Sequence, residues 1–361
     1  MISRAKRNNI FAYADLSDVQ VRNVQLNDSE CAEGKAVLSS YPKRIVLELT
    51  NACNLHCVMC GREAIRFNPH YLMEEYIEWL ADALHRVEEV TIMGWGEPSL
   101  HPRFESIIKW LSRFPCKKYI CTNGMLLEKY GKSIVNNNID LLSISINGAS
   151  SATNDSIRKG SNLETILDNI DSINLMNGSE RIVISFVFCI MKSNYLEICD
   201  LIELAHSHNV KRVKLVHLTA FSNEMLQEVM LDKMNELRTV FLSASKLAEK
   251  YGIELELPYL CGEDPAGNLM HANCCMPWRD MFIGADGVIR SCMSSSKAIT
   301  TLDISKTFFE VWNCFEYQQL RRCVNDENMP EQCKRCYQSS FCNWNLIQSY
   351  NQASEDFAYE W

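Results

Sequence analysis

The sequence predicts an α/β fold, a partial (β/α)6 barrel of TIM type followed by a small C-terminal domain rich in cysteine. Three observations carry that expectation. Short β-rich runs alternate with amphipathic stretches from Arg44 to Tyr251, a pattern that builds a parallel sheet with crossover helices. From Cys261 onward the texture changes, with nine cysteines and little such alternation. The length of 361 residues suits two domains better than one.

Residues 1–42 are mixed polar with weak periodicity and read as an N-terminal extension; 43–255 read as the barrel and 256–361 as the C-terminal domain. The expected strands are Ile45–Thr50, Val90–Gly94, Lys118–Thr122, Leu141–Ile146, Ile182–Met191 and Val213–Leu218. Between them lie amphipathic stretches such as Met73–Val87, Phe104–Phe114, Leu163–Met176, Leu196–His206 and Met225–Tyr251. Chemistry in a barrel of this kind sits on the loops that follow the strands. A seventh run, Ile253–Tyr259, ends at Cys261. Ala285-Asp286-Gly287 between two apolar triplets predicts a hairpin. One helix is expected over Phe308–Val324, with Val311, Trp312, Phe315 and Leu320 as its apolar face.

Hydrophobic residues at 47%, charged residues at 22% and only 14 glycines exclude collagenous, disordered and solenoid classes. The net charge of -9 argues against nucleic acid, whose binding rests on Lys and Arg. It accords with a cationic or neutral substrate, or simply with a soluble surface. The amino end, MISRAKRNNIFAYAD, has too short an apolar run for a secretory core, and Ile182–Met191 is about half a membrane span. The expectation is a cytoplasmic protein with no membrane partner. Seventeen cysteines in a reducing compartment are then free thiols or metal ligands rather than disulfides.

Cys53, Cys57 and Cys60 follow the first strand at C-x3-C-x2-C spacing. Zinc would want a fourth ligand, and His56 lies inside the loop, crowded by its neighbours. Three thiolates suit a cubane that leaves one iron open for a chelating ligand. The loop resembles that of the radical S-adenosylmethionine (SAM) enzymes. That resemblance implies an open iron binding the amino and carboxylate groups of SAM, and a 5′-deoxyadenosyl radical that abstracts hydrogen from carbon. It also implies a flavodoxin- or ferredoxin-type electron donor, and places Met59 against adenine. Gly94-Trp95-Gly96-Glu97-Pro98 resembles the family's GGEP motif, with Trp95 in place of the first paired glycine. There Gly96 lets backbone approach the ligand and Glu97 accepts from the SAM ammonium. Thr122-Asn123-Gly124 is similar to the family's turn near the methionine moiety. Ser143, Ser145 and Asn147 before Gly148 fall where relatives contact ribose, Asn147 replacing an acid, and Arg158 falls in a loop that often carries arginine. The resemblance covers residues 44–220.

In the C-terminal domain, Cys274-Cys275-Met276-Pro277-Trp278, the hairpin, Cys292, a Trp312 helix, Cys333-x2-Cys336 and Cys342 follow in order. A C-x2-C pair alone fits zinc equally well, but the order resembles a SPASM or twitch auxiliary-cluster domain. Anaerobic sulfatase-maturating enzymes have a further cysteine where this chain has Leu346, and none follows Cys342. The spacing resembles the single-cluster twitch domain of 2-deoxy-scyllo-inosamine dehydrogenase. It implies one auxiliary [4Fe-4S] cluster on Cys274, Cys292, Cys333 and Cys336, with Cys275 and Cys342 as substitutes. The expected reaction is dehydrogenation of an alcohol on a small molecule, an amino sugar or aminocyclitol of the kind used in antibiotic biosynthesis, with the auxiliary cluster taking the electron, priming the first cluster or serving only as a structural staple. The alternatives are an epimerase returning hydrogen from Cys189 or Cys261, a peptide maturase, and an iron–sulfur electron carrier. Residues 1–42 look short for the leader-binding domain of many peptide-modifying relatives. Cys31, Cys116, Cys121, Cys199, Cys314 and Cys323 read as packing.

Overall fold

The structure, a computed structural model, describes residues 16–64, 68–178, 181–258, 260, 274–290, 292, 298–330 and 333. Its strands are β1 (Arg44–Leu47), β2 (Glu89–Ile92), β3 (Lys117–Thr122), β4 (Leu141–Ser145), β5 (Val183–Ile190), β6 (Arg212–His217), β7 (Glu254–Glu256), β8 (Asp280–Ile283), β9 (Val288–Arg290) and β10 (Ala298–Thr301). They form one sheet in the order β10-β9-β8-β1-β2-β3-β4-β5-β6-β7. The six expected strands stand side by side in parallel, as in a partial barrel. β7, the seventh run, extends that array from β6. On the opposite edge β8 pairs in parallel with β1, and the β8–β9 hairpin continues the sheet into the C-terminal domain.

Parallel pairing fixes which side chains share a face. Ile45, Leu47, Val90, Ile92, Ile120, Leu142, Ile144, Ile184, Phe186, Phe188, Val213 and Leu215 are buried together in the main core. The opposite, inward face mixes in many polar side chains: Arg44, Thr91, Tyr119, Cys121, Ser143, Ser145, Ser185, Arg212, Lys214 and Glu256 share the alternate positions with Val46, Leu141, Val187 and Val216. Barrels usually fill this space with branched apolar residues. Here ion pairs hold it instead. Arg212 pairs with Glu254 at 3.1 Å and with Glu256, and Lys214 reaches Glu256 at 3.1 Å. Burial would raise the Asp280 carboxyl, but Arg44 and Arg279 hold it below the usual carboxylate range.

The weak periodicity of the N-terminal extension conceals a helix, α1 (Asp18–Ala32), started by a capping box between Ser17 and Gln20. Apart from Val24 its buried face is polar, Gln20, Asn23, Asn27 and Glu30, so a hydrophobic pattern could not reveal it. Asn27 Nδ2 donates to Ser40 Oγ at 3.0 Å, Tyr41 O at 3.2 Å and Trp278 O at 2.8 Å. Glu30 accepts from the amides of Ser39 and Ser40. The strap after α1 then receives Trp278 Nε1 on Lys35 O (2.7 Å), Arg321 on Ala36 O (3.0 Å) and Trp312 Nε1 on Ser40 O (3.1 Å).

The single helix expected over Phe308–Val324 is two, Phe308–Trp312 and Phe315–Cys323, broken at Asn313 and Cys314. The break turns Phe315 outward, 68% exposed, and buries Tyr317 in its stead. Among the described residues no helix is long and apolar enough to cross a membrane.

Asn27→Ala is expected to lower unfolding free energy by about 2 kcal/mol, because it removes three buried hydrogen bonds, among them the side-chain donor to the Trp278 carbonyl. Val19→Ala, on the exposed side of α1, is the control; urea midpoints compare the two.

Candidate active site

The first cysteine loop leaves β1 and is pinned from several sides. Ala52 N donates to Thr50 Oγ1 at 3.0 Å, and Thr50 Oγ1 donates to His70 O at 2.7 Å. Arg62 Nε donates to Asn51 O at 3.1 Å. His56–Cys57 form a two-residue antiparallel ladder with Arg158–Lys159. Cys53, Cys57 and Cys60 are all partly exposed, whereas His56 is turned to solvent. Burial pushes the Cys60 thiol up to about 11, with Cys57 and Cys53 close enough to add to it. Burial likewise raises Cys53. Among the described residues no three such side chains converge on one metal ion. A cubane asks less of convergence, since each thiolate binds a different iron, and three neighbouring thiols on a pinned loop fit it.

The Gly94–Pro98 turn packs onto this loop. A Cβ on Gly96 would lie 2.3 Å from Thr50 O and 2.4 Å from Ala52 O, so the close approach its glycine permits is to the cysteine loop itself. Glu97 N donates to Ala52 O at 2.8 Å. The Glu97 side chain is 2% exposed. Its Oε1 accepts from Ser99 Oγ (2.6 Å) and Thr122 Oγ1 (2.8 Å), and its Oε2 accepts from Asn123 N (2.7 Å). It therefore orders the following turn; spare acceptor capacity lies on Oε2. Gly94 gives way to Glu48, whose Cγ would stand 2.4 Å from a Cβ there. Trp95 packs edge-on against Phe221, ring centroids 5.5 Å apart, and Phe221 in turn lies over Gly61.

Asn123 Nδ2 donates to Asn54 Oδ1 at 2.7 Å, joining the turn after β3 to the cysteine loop. Ser143 and Ser145 both face inward; Ser143 bonds the Tyr119 hydroxyl, and Ser145 the Cys121 thiol. Asn147 is buried, its Oδ1 accepting from Cys189 N at 2.8 Å and its carbonyl from Asn194 Nδ2 at 3.0 Å, so it knits the ends of β4 and β5. Arg158 is buried beside Cys57, and its Nε has no hydrogen-bond partner among the described residues. Its charge acts on Cys53 and on Cys121.

Met59 and Cys189 pack against one apolar group with Met191, Leu218, Met225 and Phe221. Cys189 is on the inward face of β5, and burial alone pushes its thiol up to about 12, leaving it protonated. Cys121, expected as packing, also faces inward, at the level of Ser143. It and the Lys214–Glu256 pair are the residues missed; their signal was polar alternation in Tyr119-x-Cys121, Arg212-x-Lys214 and Glu254-x-Glu256. Cys261 lies outside the described residues.

In the C-terminal domain the two adjacent cysteines part company. Cys274 is held toward the segment leading to Cys333, its amide donating to Asn325 Oδ1 at 2.8 Å and its carbonyl accepting from Asn325 Nδ2 at 3.1 Å. Cys275 shares a hydrogen bond with the Cys31 thiol of α1. Cys292 follows β9, and Cys333 N donates to Pro330 O at 2.8 Å. Cys336 and Cys342 lie outside the described residues. The Tyr317 hydroxyl is buried without a hydrogen-bond partner among the described residues and has Cys292 as an electrostatic neighbour.

Residues 47–205 match the Radical SAM superfamily, and residues 274–337 match SPASM, an iron–sulfur cluster-binding domain. The GTP 3′,8-cyclase of Synechocystis sp. is 24% identical over 316 residues, 79% of this chain and 89% of the cyclase. The mycofactocin maturase MftC of Mycolicibacterium smegmatis is 30% identical over 124 residues, 33% of this chain and 31% of the maturase. Streptococcus suis SuiB bound to S-adenosylmethionine superposes with a TM-score of 0.63 at 16% identity, covering 83% of this chain and 72% of SuiB. AnSMEcpe with bound AdoMet gives 0.63 at 14% identity, covering 88% and 92%. These superpositions establish the shared fold. The two domains imply a SAM-binding [4Fe-4S] cluster, SAM, and auxiliary iron–sulfur binding in the C-terminal domain.

Gly96→Ala is expected to displace the Thr50–Ala52 backbone, and anaerobic reconstitution should then load about half of the wild-type iron, the share of one lost cubane. Gly178→Ala, whose Cβ meets nothing within 4 Å, should leave the iron content unchanged.

Proposed function

Because the chain belongs to the radical SAM superfamily and carries a SPASM domain, we propose that it dehydrogenates an alcohol on a small polar substrate. The substrate class we favour is an amino sugar or aminocyclitol. The observation that carries this reading is the unbroken sheet from β1, which launches the first cysteine loop, to β8 and β9, which lead to Cys292. Two redox sites on one rigid sheet suit a reaction that takes a hydrogen atom from the carbinol carbon and then an electron from the resulting radical, the hydroxyl proton passing to solvent as the carbonyl forms.

Cys53, Cys57 and Cys60 would hold the first cluster; Cys274, Cys292, Cys333 and Cys336 would hold one auxiliary cluster, with Cys275 turned instead to Cys31. Bound there, the first cluster with SAM supplies hydrogen abstraction from carbon, and the auxiliary cluster supplies an acceptor for the electron left behind. The residues of the chain prepare the chamber. Arg158 presents a buried cation beside the cysteine loop, where an anionic group of SAM would satisfy it. Glu97 and Asn123 fix the turn after β3, while Gly96 seats the Gly94–Pro98 turn on the loop. Ser143, Ser145 and Asn147 line the side of β4 facing the nucleoside. Met59, with Phe221 and Met225, keeps water from one wall. Lys214 and Glu256 give the opposite wall the polarity a hydroxyl- and amine-bearing substrate needs. A flavodoxin- or ferredoxin-type protein in the cytoplasm would supply the reducing electron.

A second reading, epimerisation, is favoured by Cys189, a protonated thiol on the inward face. Cys261 is the other thiol proposed for that role.

Anaerobically reconstituted protein with dithionite, SAM and an aminocyclitol deuterated at its carbinol carbon should yield a carbonyl product and deuterated 5′-deoxyadenosine. Cys53→Ala should lower 5′-deoxyadenosine formation at least about a hundredfold, the loss expected when a group made essential by the transition state is removed. Consumption of a peptide and of no small molecule would overturn the substrate class. Solvent deuterium at the product carbon, lost in Cys189→Ala, would replace dehydrogenation by epimerisation.

A further inference from the structure

Tyr317 is among the largest fully buried side chains of the protein, at 0% exposure on the Phe315–Cys323 helix. Its ring is fixed edge-on to Trp312 at 4.8 Å, with the Arg321 guanidinium 4.9 Å from its centroid. Phenylalanine would fill the same space. Yet the hydroxyl is kept, with no hydrogen-bond partner among the described residues. An orphaned buried hydroxyl points to an acceptor that the polypeptide does not itself provide.

Among the described residues, the charged and titratable groups that act on it include Arg321, Cys314, Asp280 and Cys292. Arg321 has only donors, and they are engaged by Pro277 O, Ala36 O, Asn313 Oδ1 and Trp312 O. Asp280 is held by Arg44 and Arg279. Cys314 begins the helix that carries Tyr317 itself. Cys292 is different: on the reading above it is an auxiliary-cluster thiolate, and this inference rests on that reading. A phenol carries its proton throughout the neutral range, so it is a donor there.

We propose that the Tyr317 hydroxyl donates a hydrogen bond to the sulfur shell of the auxiliary cluster at Cys292 and thereby raises its reduction potential. Reduction adds negative charge to the sulfurs, and a donor stabilises that charge. Tyr317 is a positioning residue in this sense; it tunes the electron acceptor without touching substrate.

The test is a redox titration, followed by electron paramagnetic resonance, of reconstituted full-length wild-type and Tyr317→Phe proteins. The first cluster is told apart by its spectral change on adding SAM. The variant should keep its iron, about eight per chain for two cubanes. Its auxiliary midpoint should fall, reducing about tenfold less cluster at a fixed potential, or about 59 mV for one electron. The SAM-responsive signal should not move. Full iron with an unchanged auxiliary midpoint overturns the inference alone. Wild-type protein that binds only about four irons, all of them SAM-responsive, overturns the ligand reading and this inference with it.

Discussion

Glu48 sits one residue beyond β1, and its two carboxylate oxygens face different parts of the molecule. Oε1 accepts from Trp95 N at 2.7 Å in the turn after β2, and Oε2 accepts from Ala285 N at 3.1 Å in the hairpin of the C-terminal domain. Burial pushes this carboxyl up, against the pull of the two amides and of Arg290. A buried carboxylate tolerates such a place only while its hydrogen bonds are met. The chain therefore cannot shift the first cysteine loop, the Gly94–Pro98 turn or the β8–β9 hairpin separately. Gly94 exists to give this side chain room.

Around that joint the sheet divides its labour by face. The outward face packs apolar side chains under the crossover helices and supplies most of the hydrophobic stabilisation. The inward face gives up that gain in order to offer hydroxyls, thiols and paired charges to whatever enters. Paired charges there do little for net stability, since desolvation offsets much of the attraction. Their use is a chamber that is polar yet rigid.

The two faces also explain what could be read from the sequence. The outward face made all six strands and β7 legible, within a residue or a few of their observed ends, because apolar runs of β-rich residues announce themselves. Cysteine spacing made the first loop legible, because three thiols so close have few other uses in a reducing setting. α1 was not legible: Gln20, Asn23, Asn27 and Glu30 are buried by hydrogen bonding, which leaves no apolar period. The break at Asn313 was missed because apolar residues continue on both sides of it. Nor does spacing tell Cys274 from Cys275; the docking of α1 gives the two different surroundings, with Cys31 as a partner of Cys275.

The hydrogen bond from Asn27 to Trp278 spans 251 positions of sequence. A ribosome releases α1 long before it makes Trp278, Trp312 or Arg321, so this helix must wait, its side-chain amides turned to water, for the last quarter of the chain. Such long loops close slowly. The docking of α1 on Trp278 thus closes a loop that contains the whole barrel.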